Sequence, residues 1–252
     1  MANHAVVLCA GFGTRMYPLT RNRPKALLAV GGKPALDYLM DQLRDLDGLE
    51  TVAVVVNARF ARQFEAWQQH WRPRLMEGGK RLVLLNDGAT APANRRGACG
   101  DLQLAFERLP RAEGYLVAAG DNLFRFDLGT LWRDFQRGSS HRLVALPEAD
   151  RTRLRRSGVP VWGRGDRVQS FLEKPADPPS DWCCLPLYFL QSTAVPLLAA
   201  FRQIQPTADA PGHFIAELCR REKVRAFRPV ALRLDIGDLE SYRQADRLLG
   251  HR

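Results

Sequence analysis

Short apolar runs alternate with amphipathic stretches through the first half of the chain. Residues 5–10 (AVVLCA) are continuously apolar and end at a glycine turn, the pattern of a strand buried on both faces. Residues 51–57 (TVAVVVN), 81–86 (RLVLLN) and 115–119 (YLVAA) repeat it, the last running into Gly120-Asp121-Asn122. Between these runs the apolar period lengthens to that of a helix. Pro34 stands at a first helical position, and Leu36, Leu39, Met40, Leu43 and Leu46 follow at helical spacing through residues 35–46. Residues 59–71 and 100–109 read the same way. The alternation predicts an α/β fold: a Rossmann-like, mostly parallel sheet flanked by helices.

The second half changes character. Short strand patterns cluster at residues 142–147, 160–163, 168–173 and 185–190, which predicts a β-rich insertion. Helical patterns return at 194–201, 212–221 and 239–248, with a last strand at 231–235. The proline-rich stretch 173–181 (EKPADPPSD) is short enough to be a loop. With no linker, repeat or low-complexity segment, residues 1–252 are expected to form one domain.

Composition narrows the function classes. A hydrophobic fraction of 46% and a charged fraction of 25% are those of a soluble globular protein. No apolar run reaches the ~18 residues of a membrane span. The first residues lead straight into a strand without a signal-peptide pattern, so the chain is expected to be cytoplasmic. Its five cysteines (Cys9, Cys99, Cys183, Cys184, Cys219) contain no C-x-x-C pair, so they read as buried thiols rather than disulfides or zinc ligands. A net charge of +10 implies anionic partners. The cations are scattered, however, which argues against nucleic acid or a membrane surface and leaves phosphorylated small molecules. Five lysines stand against 32 arginines, so each lysine carries more information.

The densest candidate chemistry lies in LCAGFGTRMYPLTRNRPK, residues 8–25, which holds four cations and no acid. It is not a dinucleotide fingerprint: Met16 replaces the third glycine and Asn57 stands where an acid belongs. It is not a P-loop either, because Pro34 follows Gly32-Lys33 and Leu27 replaces the first glycine. Gly11 and Gly13 let backbone N–H groups approach an anion, Thr14 adds a hydroxyl and Arg15 a planar fork. Prolines would stiffen the rest as extended chain to Pro24-Lys25. By itself the stretch fits a triphosphate cradle and an ordinary turn with solvated cations equally well.

Ala10-Gly11-Phe12-Gly13-Thr14-Arg15-Met16-Tyr17-Pro18-Leu19-Thr20, then Pro24-Lys25 and VGGKPALDY (residues 30–38), resemble the signature of the sugar-1-phosphate nucleotidylyltransferases. GDNLF (120–124), FLEKP (171–175) and LDIGDLESY (234–242) resemble three further family segments, in the family's order. The resemblance implies the nucleotide-diphospho-sugar transferase fold. It implies transfer of a nucleoside monophosphate from a nucleoside triphosphate to a sugar 1-phosphate, with Mg²⁺ as cofactor. The attacking oxygen is already anionic, so positioning and cations do most of the work. By resemblance Arg15 and Lys25 are catalytic, and Ala10, Gly11, Gly13, Thr14, Arg15, Gly97 and Gly120 bind the triphosphate. Lys174, Glu173 and Gly158 hold the sugar phosphate, and Asp121 and Asp235 hold the metal. Asp101 reads as a cap of the helix that follows it.

Some positions depart from the family pattern. Cys9 replaces an alanine and Ser157 a tyrosine, and Pro186-Leu187 stand where a glycine is common. The pair Arg95-Arg96 is atypical and points toward an acidic or additionally phosphorylated acceptor. Two other readings stay open. One is a CTP-dependent nucleotidylyltransferase of a phosphorylated alcohol such as phosphocholine, with Trp162 and Trp182 available for an aromatic cage. The other is a non-catalytic nucleotide-binding module. Base, sugar and oligomeric state, homo-oligomers included, are not fixed by the sequence.

Overall fold

The computed structural model describes residues 2–230, 232–234 and 236–250. The elements of the first half are β1 (Asn3–Leu8), β2 (Ala29–Val30), β3 (Lys33–Pro34), α1 (Ala35–Arg44), β4 (Thr51–Val56), α2 (Ala61–Glu77), β5 (Arg81–Asn86), α3 (Ala98–Arg108), β6 (Gly114–Ala119), β7 (Leu123–Arg125) and α4 (Leu128–Arg137). They continue with β8 (His141–Pro147), α5 (Arg151–Leu154), β9 (Gly158–Trp162), β10 (Val168–Glu173), β11 (Trp182–Gln191), α6 (Ala194–Ile204), α7 (Pro211–Arg221), β12 (Val224–Phe227), β13 (Leu232–Leu234) and α8 (Leu239–Gly250).

The apolar runs of the first half lie side by side as parallel strands, β1 between β4 and β6 and β5 beyond β4. The strands of the second half form no layer of their own. β11 pairs antiparallel with β6 and carries β9, β10, β8 and β12 outward, giving one nine-stranded sheet. Alternation along β1 divides the core. Ala5 and Val7 face the cluster containing Leu36, Phe64, Trp71 and Trp132, whereas Val6 faces Leu102, Phe106, Leu198 and Phe214. Helices α1, α2 and α4 therefore cover one face and α3, α6 and α7 the other. The chain leaves β1 for the first face and returns to β6 through α3 on the second. The crevice where neighbouring crossovers part thus opens at the carboxyl ends of β1 and β6, the usual ligand position in such sheets.

The short elements β2, β3, β7, α5 and β12 were not expected from the sequence, and three larger differences have identifiable causes. Helix α2 runs past Trp71 and through Pro73 to Glu77, because Leu75 beyond the proline is fully buried. Helix α4 was masked by its many polar residues, yet Leu128, Trp132 and Phe135 recur on one buried face and Asp127 caps it, accepting from Thr130 N–H at 3.0 Å. The last strand joins β7 rather than the main sheet. No helix among the described residues is long and apolar enough to cross a membrane.

One buried carboxylate ties the first helices together. Asp37 Oδ1 accepts from the indole N–H groups of Trp67 at 2.7 Å and Trp71 at 2.8 Å. Asp37→Ala orphans both buried donors and should destabilise the protein by about 3 kcal/mol in urea unfolding. A loss under about 1 kcal/mol would show that the bonds contribute little.

Candidate active site

A cleft of about 460 Å³ occupies that crevice. The glycine loop after β1 forms one wall. Gly13 takes a left-handed turn (φ 62°), and the side chain of Thr20 folds back to donate to its carbonyl at 2.7 Å. The expected extended chain is instead broken into short 3-10 turns at Thr14–Met16 and Lys25–Leu27, because the Gly13 turn curls the chain back on itself. Asn57, where a dinucleotide site would place an acid, is fully buried and donates to Ala10 C=O at 2.9 Å. It fixes the strand-to-loop exit rather than a ribose. A Cβ at Gly11 would meet nothing within 4 Å, so the backbone there faces open space.

From the opposite side, the end of β6 brings Asp121 to Lys25, with Nζ to Oδ2 at 2.7 Å. The Lys25 side chain is 13% exposed and that of Asp121 36%, so the ammonium is confined while the carboxylate opens onto the cleft. Burial pushes the Asp121 carboxyl up, but the Lys25 ammonium, its hydrogen bond and the more distant Arg15 outweigh it and hold the group below the usual carboxylate range. Asp121 is therefore a carboxylate at neutral pH. Beneath it, Gly120 is buried against the Cys9 sulfur. Asp235 lies outside the described residues. Among the described residues, no group of three or more His, Cys, Asp or Glu converges as a metal site.

Of the residues singled out in the sequence, Ala10, Gly11, Gly13, Thr14, Arg15, Lys25, Gly97 and Asp121 line this one cleft. Gly120 sits behind the lining. Gly158, Glu173 and Lys174 form a neighbouring group. Glu173 pairs with Gly158 across β10 and β9, and its carboxylate lies against Gly212 at the start of α7. The preceding residue, Pro211, lines the cleft and joins the two groups. Lys174 has φ 52°, a left-handed conformation costly for a residue with a Cβ, and its N–H donates to Ser157 C=O at 3.0 Å.

Several sequence readings change. Gly97 does permit a close approach: its φ is 75°, and a Cβ would lie 2.6 Å from Asp209 Oδ1. Asp101 does not cap α3, whose cap position is Gly97; it lies within the first turn of the helix. Arg95 is bound to Asp209 at 2.9 Å, so its charge is partly answered within the chain. Trp162 and Trp182 do meet edge to face, but neither lines the cleft, and Arg228 already stacks over both rings at 5.2 and 5.6 Å. An intramolecular guanidinium thus occupies the place a quaternary ammonium would need.

Sequence reasoning singled out Pro186 only as a departure from the family pattern, and missed Tyr188, Asp209, Pro211 and Gly237 as lining residues. Pro186 and Tyr188 are two apart on β11 and so share a face. Pro186 is tolerated because the pairing of β11 with β8 slips between Leu185 and Tyr188, and Asn122 donates to the Pro186 carbonyl at 3.1 Å. That period of two was the available signal. Asp209 carried none, since its loop reaches the cleft only through the packing of α6 and α7.

The nucleotidyl transferase family model matches residues 4–251. The chain is 29% identical over 250 residues to the UTP–glucose-1-phosphate uridylyltransferase AglF of Haloferax volcanii, covering 97% of this chain and 96% of that one. It is 27% identical over 206 residues to a glucose-1-phosphate thymidylyltransferase of Neisseria meningitidis, covering 81% and 65% of the two chains. Among solved structures, UDP-glucose pyrophosphorylase complexed with UDP-glucose matches with a TM-score of 0.80 over 98% of each chain, at 17% identity, a likeness of fold.

Proposed function

The chain belongs to the nucleotidyl transferase family, and from that premise we propose that it transfers the uridylyl group of UTP to a hexose 1-phosphate, releasing pyrophosphate. The observation that carries this is the Lys25–Asp121 pair at 2.7 Å in the same cleft as Arg15 and the glycine loop. The uridylyltransferase similar along nearly its whole length supports the choice of base and acceptor class.

In this reading an ionised phosphate oxygen of the acceptor attacks the α-phosphorus of UTP. The bond from that phosphorus to the bridging oxygen breaks, and its electron pair leaves with pyrophosphate. No side chain has to remove a proton from the nucleophile. The open backbone at Gly11 and the turn at Gly13-Thr14 face the triphosphate, and Arg15 forks onto its outer oxygens. Lys25 places a compact ammonium where negative charge gathers on the transferred group. Lys174, its backbone held by Ser157, takes the acceptor phosphate, and Glu173 takes sugar hydroxyls.

The donor set also suits Mg²⁺: Asp121 offers a hard oxygen that stays ionised at neutral pH, and Asp235 would be its second carboxylate. When bound, Mg²⁺ supplies charge neutralisation between the phosphates and these carboxylates.

The test is pyrophosphate release with Mg²⁺ over a grid of five nucleoside triphosphates against hexose 1-phosphates and phosphocholine. The expected signal is UTP with a hexose 1-phosphate, abolished by chelation. Signal confined to CTP with phosphocholine, or a dark grid from folded protein, would overturn the proposal.

A further inference from the structure

Two fully buried polar side chains stand behind the glycine loop, and each is bonded to one of its carbonyls. Asn57 follows β4 directly and Thr20 lies on the return limb of the loop; both are 0% exposed. Asn57 Nδ2–H donates to the Ala10 carbonyl at 2.9 Å, and Asn57 Oδ1 accepts from Phe60 N–H at 3.0 Å. The second bond fixes which way the amide faces, so the group turned to Ala10 is the donor. Thr20 Oγ1 donates to the Gly13 carbonyl at 2.7 Å. Its methyl packs on the same turn, since a Cβ at Gly13 would lie 3.1 Å from Thr20 Cγ2.

A trans peptide is planar, and its C=O and N–H point in opposite directions. A carbonyl bonded back into the protein therefore sends the N–H of the next residue away from that bond. Here the next residues are Gly11 and Thr14, both exposed and both lining the cleft. Among the described residues neither N–H meets an acceptor.

We propose that Asn57 and Thr20 are positioning residues, each locking one peptide plane so that the Gly11 and Thr14 N–H groups are aimed at the phosphates of the nucleoside triphosphate. The inference deepens the function proposed above and rests on it for its ligand.

The need for a lock follows from the glycines. Each of the two planes borders one, Gly11 or Gly13, and a glycine puts little steric limit on rotation of its peptide. The surroundings stiffen what the two bonds fix. The Phe60 ring packs at 6.4 Å from that of Phe12, which lies between the aimed peptides. Arg59 donates to the Arg21 carbonyl at 2.6 Å and Gln63 to that of Asn22 at 2.9 Å, so the start of α2 holds the outer limb of the loop as well. The Gly13 carbonyl takes a second bond from Met16 N–H at 2.8 Å. A donor aimed in advance loses no freedom when the anion arrives.

The experiment is amide NMR of the full chain, labelled with nitrogen-15 at glycine and threonine, with and without inorganic tripolyphosphate. In wild type the Gly11 and Thr14 amide protons should both move downfield on binding. Asn57→Leu, close in size but unable to donate, should lose the Gly11 response and keep that of Thr14. Thr20→Val, which keeps the methyl and removes the hydroxyl, should do the reverse, and Thr20→Ser should restore the Thr14 response. By calorimetry, the Kd for UTP should rise about tenfold in Asn57→Leu and in Thr20→Val, the loss of one hydrogen bond to a charged group. Amides that do not respond in wild type, or that respond alike in wild type and both variants, overturn the proposal. So does loss of both responses in each variant, which is the mark of a merely structural role. Should Asn57→Leu fail to fold, Thr20→Val against Thr20→Ser carries the test at Thr14. If the amides respond as stated while no pair of substrates is turned over, the functional reading fails and the lock stands; turnover with unresponsive amides means the reverse.

Discussion

Lys25→Ala should lower kcat for pyrophosphate release by about a hundredfold to a thousandfold, the usual loss when one preorganised charge at a developing anion is removed. The Lys25 ammonium is confined, 13% exposed, and fixed by Asp121, so no neighbouring solvent-borne cation replaces it. A second effect identifies the pair. Without Lys25 the largest stabiliser of the Asp121 carboxylate is gone, and burial acts with less opposition. A depressed carboxyl contributes stability above its unfolded pKa and loses it as pH falls through the lowered folded value. The variant should therefore lack that stability at neutral pH, and its unfolding free energy should fall less than that of wild type as pH drops through the acid range, as well as turning over slowly. Both are read from acid unfolding curves and steady-state kinetics. A kcat within tenfold of wild type would remove Lys25 from the transferred phosphate.

Gly120→Ala should destabilise the protein by about 2–3 kcal/mol, the upper range for overpacking a rigid core. The new methyl would lie 2.2 Å from Cys9 Sγ and 3.3 Å from Leu36 Cδ1 and Val7 Cγ1, in the buried backbone just past the end of β6. Adding Cys9→Ala should restore most of the loss, because it removes the atom in conflict. Urea unfolding of the four proteins forms a double-mutant cycle with a coupling expected above about 1 kcal/mol. Additive effects would mean that the backbone yields instead. From the sequence, Cys9 stood out only as a departure from the family's alanine. The structure makes it one half of a contact whose other half must be glycine, immediately before Asp121.

The parts of the site that could be read in advance are those built over short range. The strand, the glycine turn, Arg15 and Lys25 lie within one stretch, and Asp121 follows its own apolar strand; local pattern left a cradle and an ordinary turn equally open, and the family resemblance singled these residues out. What could not be read was set by long-range pairing. Tyr188 and Pro186 reach the cleft because β11 adds antiparallel to β6, and no property of residues 182–191 names that neighbour. Asp101 obeyed a local rule, an acid near a helix start, and was misassigned by it. The helix α4 was hidden for a different reason: its buried face is three residues wide amid polar neighbours. The long reach of α2 shows packing overriding a proline.

The far end of the chain closes the near one. Asp246 of α8 accepts from Gly31 N–H at 2.8 Å, Tyr242 donates to the Ala29 carbonyl at 2.7 Å, and the backbone of Leu249 presses on Gly31. On the ribosome this clasp is a matter of waiting. Gly31 emerges 215 residues before Asp246, which at about 5–20 residues per second is roughly 10–40 s of synthesis. Throughout that interval the cation-bearing loop is already made while its buttress is not. The clasp can close only after every strand of the main sheet has been laid down.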